Sequence, residues 1–238
     1  MAESILKTGA QTYSAAIETA HNYTSWIIAR CAPFLGSTIL EVGLGHGGYR
    51  AFLPPSARYI GLDIDAESVD RARRQNPADT FVAADVTDPA LKTTLAGHRI
   101  DTVLCINVLE HIVEDRKAVE NLMSILQPGG HLVVLSPAFP ALYSSLDHLA
   151  GHVRRYVRAD VPPLAPPGTV VVRNEYFNAI GGVGWFLNKL VRHSDLNATA
   201  VNSQIVIFDR YVVPLARQTD RLSRRFFGQS LIFVIQKR

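Results

Sequence analysis

The sequence predicts an α/β fold, a mostly parallel sheet with helices on both faces. Three observations predict it. Short apolar runs alternate with helix-patterned segments through residues 38–137. Most of these runs are apolar throughout rather than at every second position, as expected of strands covered on both sides. A last apolar run, "SLIFVIQK" (230–237), is not followed by a helical pattern, so its strand is expected to be antiparallel to its neighbours.

The elements follow in order. Residues 12–32 carry apolar positions at helical spacing (Ala16, Ile17, Ala20, Tyr23, Ile27, Ile28) and predict one or two helices ending near Pro33. "TILEVG" (38–43), "RYIGLDI" (58–64), "TFVAADV" (80–86), "IDTVLCIN" (100–107) and "HLVVLSP" (131–137) read as strands. Helices are expected over about 66–75 and 113–125, and "QPGG" (127–130) reads as a turn. Residues 138–168, rich in Pro and His, read as irregular. "TVVVRNEYF" (169–177) reads as a sixth strand, residues 183–192 and 204–226 as helical, and 230–237 as a seventh strand.

"ILEVGLGHGG" (39–48) carries the first chemical signal. Gly43, Gly45 and Gly48 satisfy G-x-G-x-x-G directly after a strand, a turn that lets a ligand approach the backbone. Asp63 ends the second strand, about 20 positions on, where an acidic residue can take both hydroxyls of a ribose. To this point a dinucleotide fits as well as any other adenosine. Glu41, inside the strand, would repel a pyrophosphate and suit a cation or an amino group. Asp85 could accept from an adenine amino group beside the Val86 N–H, or simply cap the next turn.

"LEVGLGHGG", "GLDID", "AADV", "CINVLEHI" and "LQPGGHLVV", in this order and spacing, resemble class I S-adenosylmethionine-dependent methyltransferases, in the branch that includes ubiquinone-biosynthesis enzymes. The resemblance runs over about residues 20–137. "LYSSLDHLAGHVRRY" (142–156) and "FGQSLIFVIQK" (227–237) resemble a bacterial subgroup of small class I enzymes. The resemblance implies a seven-stranded Rossmann-like sheet and S-adenosyl-L-methionine as cofactor. It implies that Glu41, Gly43 and Gly45 face the methionine part, that Asp63 holds the ribose, and that Ile64 packs on the adenine. Asp85 and Val86 would read the adenine edge, Asn107 and Val108 would line the reactive end, and Tyr23 would close over the cofactor. His46 departs from the small or hydroxylated residue common in such loops.

One domain is expected over 1–238. It divides into N-terminal cap helices (1–35), a cofactor-binding half (36–137) and a substrate-binding half (138–238) with a helical insertion at 180–228. The reaction expected is methyl transfer to an oxygen or nitrogen of a small-molecule acceptor. The alternatives are a NAD-dependent oxidoreductase and a silent binding subunit of the same fold. His111, His148 and His152 are the candidate bases, because an unperturbed imidazole suits proton removal near neutrality. Each has a structural alternative as a packing or loop-holding residue. Arg154, Arg155 and Arg158 in "HVRRYVR" either meet an anionic acceptor or form salt bridges that fix a loop.

Charge is uneven: residues 1–150 carry 11 Lys and Arg against 16 Asp and Glu, and residues 151–238 carry 13 against 5. The basic half is either a partner surface or a solvated face. The insertion mixes apolar residues with Arg, which suits a lid, a dimer contact, core packing or peripheral contact with a membrane surface. No basic stripe interleaved with aromatics suggests nucleic acid, no metal-ligand spacing appears, and no apolar run approaches the roughly 20 residues of a membrane span. The two cysteines form no disulfide framework, and no secretory signal is visible, so a reducing, cytoplasmic setting is expected for a monomer or homodimer.

Overall fold

The computed structural model describes residues 12–45, 47–191 and 193–238. His46 and the first eleven residues of the expected cap lie outside them. Seven strands form one sheet: β1 (Thr38–Val42), β2 (Arg58–Asp63), β3 (Thr80–Ala83), β4 (Thr102–Ile106), β5 (His131–Pro137), β6 (Thr169–Phe177) and β7 (Ser230–Lys237). Their order is β3-β2-β1-β4-β5-β7-β6. β1 to β5 pair in parallel, and β7 runs antiparallel to both β5 and β6, as expected from the sequence. The chain moves outward from β1 through β2 and β3, then crosses back to β4 on the other side. That reversal opens a crevice at the carboxyl ends of β1 and β4, where sheets of this kind bind ligands.

The two faces carry separate apolar layers. Successive strand residues point to opposite faces. Leu40 and Val42 therefore join Val103, Leu122 and Met123 in one layer. Ile39 joins Trp26, Ile27, Tyr59 and Phe177 in the other. The helices are α1 (His21–Cys31), α2 (Ala66–Gln75), α3 (Leu91–Thr94), α4 (Asp115–Ile125), α5 (Ser145–Ala150), α6 (Val161–Leu164), α7 (Ala179–Lys189), α8 (Thr199–Ile207) and α9 (Val213–Ser223). α1 buries Trp26, Ile27 and Cys31 against the second layer, and α4 buries Ala118, Val119 and Leu122 against the first.

Several boundaries differ from expectation for local reasons. β3 stops at Ala83 because Asp85 Oδ1 accepts from the Thr87 N–H (2.7 Å), turning the chain off the sheet. The helix after β4 begins at Asp115, and His111 sits in a separate 3-10 turn, Leu109–His111. α5 and α6 order the stretch read as irregular. α7 begins at Ala179, so Gly181 and Gly182 lie inside a helix rather than before one. A five-residue π turn, Phe208–Val212, interrupts the expected helix at 204–226. Between β1 and β2 only a 3-10 turn, Arg50–Phe52, is formed; no α-helix follows the glycine loop among the described residues.

Candidate functional site

The loop after β1 is held open by its own backbone. Gly43 has φ +80°, and a Cβ there would lie 2.3 Å from Val108 Cγ2 on the loop after β4. Gly45 also sits at positive φ, +49°. The loop is tied to the end of β2: Leu44 N–H donates to Asp63 Oδ2 (2.7 Å), and Asp65 N–H donates to Asp63 Oδ1 (2.9 Å). A carboxylate has about four lone-pair sites, so Asp63 can still accept from a ligand.

Above this floor opens a cavity of about 700 Å³, within the range of small-molecule sites. Gly43, Gly45, Asp63, Ile64, Asp85, Val86, Asn107 and Val108 all line it, as does Tyr23. Ile64 is half exposed there, and Asn107 holds a left-handed conformation (φ +53°) at the tip of β4.

Two sequence expectations are corrected. Glu41 is not among the lining residues. Strand alternation turns it with Ile39 into the α1 layer, where Oε2 accepts from the Tyr59 hydroxyl (2.7 Å) and Oε1 is buried without a partner. Burial pushes the Glu41 carboxyl up to about 8. His148 is exposed and does not line the cavity, because one residue is about 100° of helix rotation and α5 turns Asp147 inward instead.

His111 and His152 do line the cavity, with their ring centroids 4.8 Å apart. His152 Nδ1 lies 2.8 Å from Asp147 Oδ1, and Arg155 grips the same carboxylate through Nε (2.8 Å) and Nη2 (3.0 Å). Asp147 also caps α5 by accepting from the Ser144 N–H. Burial would raise the Asp147 carboxyl, but hydrogen bonds from His152 and Arg155 outweigh it and hold it at about 2. Burial and the neighbouring His152 push His111 down to about 4, leaving a neutral ring. Glu110, fully buried beside them, is pushed up by burial against the pull of His152, and its Oε2 accepts from Ser136 (2.9 Å). Glu110 stands next to His111 in "NVLEHI", and that adjacency is its one sequence signal. The arginines hold loops: Arg155 binds Asp147 and the Ala138 carbonyl, Arg154 binds Asp115 (2.5 Å), and Arg158 binds the Arg225 carbonyl.

The roof comes from the segment between β6 and β7, with Trp185, Val201, Ile205 and Phe208 facing the cavity. Asp209, in the π turn, accepts from the N–H groups of Tyr23 (2.7 Å) and Asn22 (3.3 Å). It thereby caps α1, which has no side-chain cap of its own. Gly182 lets Phe227 approach, since a Cβ there would fall 2.7 Å from the Phe227 ring.

A seven-stranded sheet of this order, with an acidic residue at the tip of β2 beneath a glycine loop, is the class I Rossmann-like methyltransferase fold. Residues 40–134 match the family described as Methyltransferase domain. An uncharacterized methyltransferase of Mycobacteroides abscessus is 32% identical over 126 residues, 50% of this chain and 47% of that one. The chain spans about half the length of the curated relatives it matches. The N-methyltransferase NodS of Bradyrhizobium japonicum, solved with S-adenosyl-L-homocysteine, superposes with a TM-score of 0.51 at 20% identity, over 68% of this chain and 80% of that one. The [4+2]-cyclase SpnF gives 0.58 at 17%, over 92% and 82%. At these identities both share the fold.

Proposed function

We propose that the protein is an S-adenosylmethionine-dependent methyltransferase. It moves a methyl group by in-line displacement to an oxygen, or next a nitrogen, of a small-molecule acceptor. The observation that carries this reading is the cavity floor. It offers a ribose acceptor at Asp63, an adenine edge at Asp85 and Val86, and a glycine turn with no α-helix behind it among the described residues.

The donor set fits an adenosyl cofactor. Asp63 has acceptor capacity left over from Leu44 and Asp65, and the cradle that Gly43 keeps free would be filled by a Cβ. Asp63 would hold the ribose, Ile64 an adenine face, Asp85 and Val86 the adenine edge, and Gly43, Gly45, Asn107 and Val108 the methionine end. When bound, the cofactor supplies a sulfonium-activated methyl group. The chain's own task is placement, which can contribute about 7–11 kcal/mol, exclusion of water by the Trp185–Phe208 roof, and removal of a proton. His152, fixed by Asp147, is the base of this reading, with His111 beside it; general-base help is typically worth about a hundred- to ten-thousand-fold. The spent arginines favour an apolar acceptor over an anionic one.

No helix of the described residues is long and apolar enough to cross a membrane. Exposed Leu187, Leu190, Leu222 and Phe226 on the insertion support peripheral contact with a membrane surface within this reading. Its buried free thiols, Cys31 and Cys105, support a reducing, cytoplasmic setting. Calorimetry with S-adenosylhomocysteine and with NAD tests the cofactor: heat is expected from the first alone. A screen of phenols, carboxylates and amines with labelled S-adenosylmethionine, read by product mass, tests the reaction. Heat from NAD alone would overturn the reading.

A further inference from the structure

The base role of His152 leaves the buried Glu110 beside it unexplained. Glu110 is fully buried, and its Oε1 has no hydrogen-bond partner. His111 Nδ1 is likewise buried and unpartnered. Buried polar atoms are normally satisfied, and an orphaned carboxylate oxygen beside an orphaned imidazole nitrogen asks for a shared partner. One donor atom each from Glu110, His111 and His152 lies within 4.8 Å of the others. His152 Nε2 stands 4.0 Å from Glu110 Oε1, too far for a hydrogen bond.

What lies behind the three is as informative. His152 Nδ1 is occupied by Asp147, itself clamped by Arg155, so Nε2 is the nitrogen left to face the cluster. Glu110 Oε2 is occupied by Ser136. A histidine backed by a carboxylate, and a ligating carboxylate that is itself hydrogen-bonded, form the outer shell usual behind metal ligands.

We infer that Glu110, His111 and His152 form a binding site for a divalent first-row transition ion, with open coordination positions toward the cavity. Two imidazoles and one carboxylate suit zinc, iron(II) or manganese(II) rather than magnesium or calcium, which prefer all-oxygen shells. Donors sharing such an ion at about 2.1 Å sit roughly 3–3.5 Å apart, so small side-chain rotations close the cluster. An ion there gives the orphaned carboxylate oxygen of Glu110 a partner. Its function rests on the methyltransferase reading: open to the cavity, it would bind an acceptor oxygen. His152 cannot be a ligand and the free base at the same moment, so the ion site replaces the base role wherever it is loaded.

The test uses untagged full-length protein stripped with chelator and titrated with Co²⁺, followed by visible d–d absorption and calorimetry. One equivalent is expected to bind with ligand-field bands, and Zn²⁺ is expected to displace it. His111→Ala and His152→Ala are each expected to weaken Co²⁺ binding at least a hundredfold, and Asp147→Asn tenfold to a hundredfold. Glu110→Gln, which retains an oxygen for Ser136, serves should an alanine variant fail to fold, with the same hundredfold loss expected. S-adenosylhomocysteine calorimetry is run on every variant. Absence of Co²⁺ binding in wild-type protein that still binds S-adenosylhomocysteine overturns the ion site and leaves His152 as base. Wild-type affinity in the histidine variants overturns it equally. Co²⁺ binding without S-adenosylhomocysteine heat keeps the ion site and removes the methyltransferase reading.

Discussion

Replacing Asp63 separates its two tasks. Its carboxylate accepts from Leu44 N–H at 2.7 Å and Asp65 N–H at 2.9 Å, and so ties the glycine loop to the tip of β2. Hydrogen bonds to a charged acceptor contribute about 1.5–3 kcal/mol each. The Leu44 bond is buried, whereas water can replace the carboxylate at Asp65. Asp63→Ala is therefore expected to cost about 2–4 kcal/mol of stability, read as a lower urea midpoint at unchanged slope. Asp63→Asn retains one acceptor oxygen and should cost about half as much. Affinity for S-adenosylhomocysteine should fall more than tenfold in both variants, equivalent to at least about 1.4 kcal/mol, because neither keeps two oxygens for a diol. An unchanged urea midpoint together with unchanged affinity in Asp63→Ala would show that Asp63 neither braces the loop nor meets the ligand.

Glu41→Gln tests the buried carboxyl in the α1 layer. The unfolded chain releases this proton near 4.5 and the folded protein near 8. Between those values the folded state holds the extra proton, so stability falls as pH rises and levels off above 8. The variant should lose that slope and gain up to about 5 kcal/mol over wild type at pH 8; parallel stability–pH curves would refute the argument. Asp209→Ala should cost about 1–2 kcal/mol by uncapping α1, with faster amide exchange at Asn22 and Tyr23 by mass spectrometry; unchanged protection there would count against the cap. Gly43→Ala meets both a positive φ and the Val108 methyl group at 2.3 Å. It should abolish detectable S-adenosylhomocysteine heat, and a second change, Val108→Ala, should restore part of it; no recovery would mean that backbone strain alone accounts for the loss.

The strands were legible because a buried strand is a local pattern: "TILEV", "RYIGLD" and "HLVVLSP" are apolar runs whatever lies beside them. Asp63 was legible for a similar reason, since the spacing from the glycine loop is set by one strand–turn–strand unit. The orientation of Glu41 was less so. Period-two alternation fixes which residues it travels with, but not which layer carries the cavity. Among the histidines, the sequence offers His148 and His152 alike as candidate bases. α5 ends at Ala150, and Gly151 in a left-handed conformation (φ +82°) swings His152 back to Asp147. The cap on α1 had no sequence signal, because Asp209 lies 187 residues from Asn22.

By itself, the sequence determined the alternation of strands and helices, the antiparallel last strand and the nucleoside-type floor, all of which follow from patterns within tens of residues. Only the tertiary structure decided that Glu110, His111 and His152 share one buried corner, that Asp147 and Arg155 stand behind it, and that the segment after β6 closes the roof. The buried corner draws on the turn after β4, on α5 and on the loop that follows α5. Their meeting depends on the pairing of β4 with β5, which sets the turn after one beside the segment after the other, a contact that no local spacing encodes.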